Sequence, residues 1–136
     1  MKKTLTATLG YLLVTFPLGF VWHLVLFRQV YEEFGLYRGA PIIPLGVLSM
    51  VIQGFILAYL YPRCLIPGSA LVSALKFFML MALFFASGTV IALAAKTQIA
   101  NLAGWFGYNF AFTFLHFALV ALVFVFVFRG ERNNGV

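Results

Sequence analysis

A four-helix transmembrane bundle, all-α and a single domain over residues 1–136, is the fold this sequence predicts, and three observations predict it. Four apolar runs, Leu5–Phe27, Pro41–Tyr61, Ser69–Ala95 and Gly104–Phe128, fill most of the 136 residues. Each reaches the roughly 20 residues that a helix needs to cross a hydrocarbon layer of ~30 Å. Hydrophobic residues make up 64% and charged residues 9% of the chain, against about 25% charged in a soluble domain, so the bilayer must act as solvent. The stretches between the runs are turns, which leaves no space among them for an extramembrane catalytic domain.

The first run follows Met1-Lys2-Lys3 and so imitates a secretory signal, but it is longer than a signal core and has no convincing small-residue cleavage site. It is expected to stay as an uncleaved span. Pro17 falls near its middle, where it removes one backbone donor and frees the carbonyl of Leu13 a turn below. The second run opens at Pro41 and ends before Pro62, which cannot continue a helix. The third carries Lys76 about two turns inside its start, within snorkelling reach of the headgroups. The fourth alternates Phe106, Tyr108, Phe110, Phe112 and Phe114, then Val with Phe up to Phe128, a period of two that suggests a strand. A lone strand in lipid would leave its backbone groups unpaired, so helix is the expectation here too.

Lys and Arg gather on the cytoplasmic side of membrane proteins. With the N-terminus inside, Lys2, Lys3, Arg63, Lys76, Arg129 and Arg132 lie at the inner side, and Arg28, Arg38 and Lys96 at the outer side with Glu32 and Glu33. Both termini are therefore expected in the cytoplasm. The net charge of +6 sits at span ends, which points to anionic headgroups as partner and away from nucleic acid, for which no basic stripe is present. Cys64 is the single cysteine, so an intrachain disulfide and a multi-thiolate metal site are excluded. Tyr31, Tyr37, Trp22, Trp105 and Tyr108 gather at the outer boundary, where amphipathic rings form belts. The tail Asn133–Val136 is expected to fray.

Depth follows from the helical rise of about 1.5 Å per residue. Gln53 and His116 each lie twelve residues from the outer ends of their spans, about 18 Å in, level with Pro17. A hydrogen-bonded layer joining the Leu13 carbonyl, Gln53 and His116 is expected. Gly46, Ser49 and Gln53 share a helix face, as do Asn109, Thr113 and His116, and Thr15, Gly19 and Trp22 or His23. Gly19, Gly46, Gly54 and Gly88 are candidate close-packing positions. These stripes could line a cleft opening outward under the Tyr31–Arg38 loop. Its candidate ligand-binding residues are His23, Gln53, Asn109, His116, Trp22 and Ser49. No catalytic residue, metal ligand or cofactor is assigned. His23 and His116 differ in depth by ~12 Å, too much for a shared haem, and the spans hold no acidic residue of the kind an ion-coupled pump uses.

The stretches Phe16-Pro17-Leu18-Gly19-Phe20-Val21-Trp22-His23 and Pro41-Ile42-Ile43-Pro44-Leu45-Gly46, running on to Gly54, resemble segments of small four-span bacterial inner-membrane proteins of unknown function, whose first span carries a similar Gly-x-x-Trp turn. The resemblance covers residues 16–54. It implies a multi-pass protein of the bacterial inner membrane and no particular activity. Three functions are compatible with the residues. The first is a non-enzymatic interaction or accessory subunit of a membrane assembly, with a membrane-protein partner or a second copy. The second is binding or transport of a small apolar or amphipathic molecule in the outward cleft. The third is a lipid-modifying enzyme using His23 beside Glu32 and Glu33.

Overall fold

In a computed structural model that describes residues 1–36, 38, 40–64 and 66–129, four long apolar helices pack as a bundle. They run over Lys2–Leu26, Ile43–Arg63, Ala70–Ala94 and Leu102–Val127, within three residues of the expected bounds. All four are long and apolar enough to cross a bilayer, which makes this a multi-pass integral membrane protein. The period-two pattern of the fourth run does not produce a strand; its residues form one unbroken α-helix. Tyr37, Leu65 of the second loop, Arg132 and the Asn133–Val136 tail lie outside the described residues.

Local chemistry sets the helix ends. The Ser69 hydroxyl accepts the Val72 N–H at the start of the third span, and the Asn101 carboxamide oxygen accepts the Gly104 N–H at 2.9 Å at the start of the fourth. Position 104 has to be glycine for this cap to fit, since a Cβ there would lie 2.7 Å from the Asn101 Nδ2. The second span admits Pro44 in its first turn, where a missing N–H costs little. A short helix, Arg28–Glu33, follows the first span and stops at Gly35, whose φ of 76° is left-handed.

Three spans are not α-helical throughout: the second ends in a 3-10 turn, Tyr61–Arg63, and the first and third each contain a wider one. Val21–Leu26 in the first and Ser87–Ile91 in the third are π-helical, each in the half of its span that leads toward the short loops after it. Wide turns of this kind leave carbonyls poorly served by the ladder, and side chains take them up. The His23 Nδ1–H donates to the Gly19 carbonyl at 3.0 Å. Ser87 and Thr89 hydroxyls donate to the Phe84 and Phe85 carbonyls at 2.7 and 2.9 Å.

The order of packing is second, first, fourth, third. The first helix lies close against the second and the fourth, and the fourth against the third, whereas the second and third scarcely approach at backbone distance. These two meet through Tyr61, whose ring packs on Phe77, Phe78, Phe124 and Phe128 at centroid distances of 5.4–5.6 Å. That aromatic knot closes one end of the core together with Ala74, Val120 and Ala121.

Glycine positions the first helix on both sides. A Cβ at Gly10 would stand 2.6 Å from Val123 Cγ1 on the fourth span, and one at Gly54 would stand 2.9 Å from Tyr11 Cδ1. Of the four glycines expected at close contacts, only Gly54 serves that purpose. Gly19 has ordinary van der Waals separation from Phe112, and Gly46, half-buried, and Gly88, exposed, have nothing within 4 Å of a Cβ. Gly10→Ala should therefore destabilise the bundle by about 1–3 kcal/mol through overpacking, while Gly46→Ala should be neutral or stabilise by up to about 1 kcal/mol through helix propensity. Thermal unfolding of the full chain in detergent measures both; equal effects at the two sites would refute the packing order.

Candidate functional site

Among the described residues, two groups of side-chain hydrogen bonds join one helix to another. In the central group the Tyr11 hydroxyl donates to Gln53 Oε1 at 2.7 Å, and the Gln53 amide donates to the Ser49 hydroxyl at 2.9 Å. Beside it, Thr15 Oγ1 and His116 Nε2 hydrogen-bond at 2.7 Å, both side chains buried. The His116 ring meets the Tyr11 ring edge-on with centroids 5.5 Å apart, so the two bonded pairs touch.

This differs from the layer expected among the Leu13 carbonyl, Gln53 and His116. Gln53 and His116 sit at neighbouring places as their depths suggested, but each is bonded to the first span by a side chain one turn apart, Tyr11 for Gln53 and Thr15 for His116. Leu13 lies on the outward flank, its side chain 76% exposed. Tyr11 was not singled out in the sequence. The sign of it was there: Ala7, Tyr11 and Thr15 recur every four residues and so share one face of the first span.

The second group crosses the opposite end of the bundle. The Trp22 Nε1–H donates to the Tyr31 hydroxyl at 3.2 Å, which donates to Asn109 Oδ1 at 3.4 Å. The Asn109 amide donates to the Trp105 carbonyl at 2.8 Å, and the Trp105 Nε1–H to the Val90 carbonyl at 3.0 Å. One line of bonds thus ties the first span, the short helix, the fourth span and the third. Tyr31 of the short helix and Phe34 just after it are 2% and 1% exposed and wedge against Trp105, Val90 and Ala86.

Trp105 and Tyr31 are consequently interior residues and not the headgroup belt expected from their position near span ends. Their polar tips find partners inside the bundle, which frees their rings to be buried. The Tyr31–Arg38 loop was expected to lid an open cleft; Tyr31 and Phe34 at its start instead plug the end of the bundle with two rings. Burial also pushes the Tyr31 phenol up to about 12, its bond from Trp22 acting the other way.

The six residues proposed from sequence are therefore distributed. Gln53 and Ser49 are bonded to each other on the second span, with Ser49 on the exposed flank. His116 is bonded to Thr15 in the core, and Trp22 and Asn109 both bond Tyr31 in the end plug. His23 and His116 pack on the same ring, Phe112, at 4.5 and 5.8 Å. His23 also lies 4.5 Å from the Tyr31 ring and lines a half-open groove of about 410 Å³ between the first span, the short helix and the start of the second. Among the described residues no three His, Cys, Asp or Glu side chains stand close enough to hold a metal ion. Glu32 is engaged by Arg28 at 2.7 Å on the surface.

Two predictions follow from this geometry. Thr15→Val removes the partner of a buried imidazole and should cost about 1–3 kcal/mol, whereas Tyr11→Phe, which loses one bond to a half-exposed amide, should cost about 0.6–1.7 kcal/mol; the reverse order in detergent unfolding would refute the assignment. Because the Tyr31 phenol ionises at about 12 when folded and at 10 when unfolded, its contribution to stability is intact below pH 10 and lost as pH rises toward 12. An ultraviolet difference titration of wild type against Tyr31→Phe should show the missing phenol ionising near 12, and a difference centred at 10 would contradict its burial.

No family model, curated protein or solved structure matches the chain.

Proposed function

We propose that this multi-pass protein is a non-enzymatic accessory subunit of an assembly in a bacterial inner membrane, with both termini in the cytoplasm. One observation carries the reading: Gly46, Ser49 and Gln53 share a face of the second span, which is a flanking helix, and its Ser49 is exposed while Gly46 has open space beside it. Small and polar residues on a lipid-exposed flank are what close helix–helix association uses. The bond from Gln53 to Ser49 holds both groups satisfied until a neighbouring helix arrives.

The orientation is supported by charge. Lys2, Lys3, Arg63, Lys76 and Arg129 lie at one end of the spans, and Arg28, Arg38 and Lys96 at the other beside Glu32 and Glu33. The bacterial inner membrane rests on the resemblance carried by residues 16–54. A second reading, binding of an amphipathic molecule at the outward end, is favoured by the groove beside His23. For a lipid-modifying enzyme no observation of this kind speaks: Glu32 is tied to Arg28, and His23 Nδ1 to the Gly19 carbonyl.

Ser49→Cys in a Cys64→Ser background should give a cross-linked adduct with another chain in native membranes, and Phe84→Cys, on the exposed flank of the third span, should give none. A strictly monomeric Ser49→Cys protein would sink the accessory reading. The exposed Cys64 reports topology in the wild type. A membrane-impermeant maleimide should label it only after permeabilisation, and should label Arg38→Cys in intact cells; the opposite pattern inverts the orientation.

A further inference from the structure

We propose that the groove beside His23 is a binding site for one anionic phospholipid of the leaflet at that end. The inference rests on the second reading above and specifies its ligand. The groove of about 410 Å³ is of ligand-pocket size, roughly 300–1,000 Å³. Its walls divide by chemistry. Leu24 at the end of the first span and Ile42 and Leu45 at the start of the second supply an apolar side, all three exposed in the isolated chain. Arg28, Glu32 and Arg38 supply the polar rim.

Charge decides the sign of the head. Two arginines face one carboxylate on this rim, and that carboxylate is already engaged by Arg28. Among the described residues Arg38 has no ion-pair partner. The second span also begins here, with Ile42 as its cap, no side-chain cap bond and no acidic residue in its first turn, so the positive end of its dipole adds to the same field. An anionic phosphate with hydrocarbon attached matches both walls at once: the head against Arg38 and Arg28, a chain against Leu24, Ile42 and Leu45. A zwitterionic lipid would place a cation where the rim is already positive, and a free phosphate would leave the apolar wall uncovered. A membrane lipid is also the amphiphile at hand, since the groove stands where two spans reach the headgroup level.

The test is native mass spectrometry of the full chain, released from detergent supplemented with phosphatidylglycerol, phosphatidylcholine or glycerol 3-phosphate. One phosphatidylglycerol should be retained per chain, at least about tenfold above phosphatidylcholine, and glycerol 3-phosphate should not be retained. Arg38→Gln should lower retention about tenfold, the order expected on losing one charge-assisted hydrogen bond, and Leu45→Trp, which fills the apolar wall, should lower it as far. Lys96→Gln, at the other loop of the same end, should leave it unchanged. Equal retention of the two lipids, both lost in Leu45→Trp, overturns the anionic assignment and leaves amphiphile binding standing. Retention indifferent to Arg38→Gln and Leu45→Trp alike overturns both. Retention of glycerol 3-phosphate alone makes the site one for soluble phosphates and also overturns the lipid.

Discussion

In hydrocarbon a polar group that lacks a partner costs several kcal/mol, because no water can replace the missing bond. That constraint orders this structure more than any apolar contact does. Lipid is as apolar as leucine, so burying leucine against leucine gives little reason for helices to meet. What distinguishes one arrangement from another is whether Tyr11, Gln53, Thr15, His116, Asn109 and the two tryptophans are all answered. They are, and by residues on other helices in five of the bonds: Tyr11 with Gln53, Thr15 with His116, Trp22 with Tyr31, Tyr31 with Asn109, and Trp105 with the Val90 carbonyl.

Glycine and aromatic packing then convert those bonds into a definite shape. Gly54 allows the second span to come up to the Tyr11 ring, which sets the reach of its hydroxyl to Gln53. Gly10 does the same for the fourth span through Val123. At the two ends of the bundle rings close the core: Tyr61 with four phenylalanines at one, Tyr31 and Phe34 with Trp105 at the other. The π-helical stretch at Val21–Leu26 belongs to the same solution, since it includes Trp22 and His23, both of which contact Tyr31.

The spans were legible because length and apolarity are local properties of the chain, and any helix that crosses a bilayer must satisfy them. Gln53 and His116 were legible as interior groups by depth alone. Their partners were not. Depth gives a height along the helix and leaves rotation open, so it led to the Leu13 carbonyl and passed over the Tyr11 hydroxyl, although Leu13 points outward. Tyr31 and Trp105 were misplaced for a related reason. Position near a span end is what a belt residue and a plug residue share, and only the fold-back of Arg28–Glu33 separates them. The π-helical turns had no signature beyond Ser87-Gly88 and Pro17, each of which has simpler uses.

The second and third helices stand at the two flanks, and the hairpins they belong to are joined mainly where the first helix lies on the fourth. Contacts inside each hairpin are short in sequence, whereas the joint bridges residues about a hundred apart, such as Thr15 and His116. A joint of that sequence separation carries a larger loop-closure cost than either hairpin does. The two halves of the bundle are thus held as one body by a few long-range contacts: the bond of Thr15 with His116 at mid-depth, that of Tyr31 with Asn109 at one end and the rings around Tyr61 at the other.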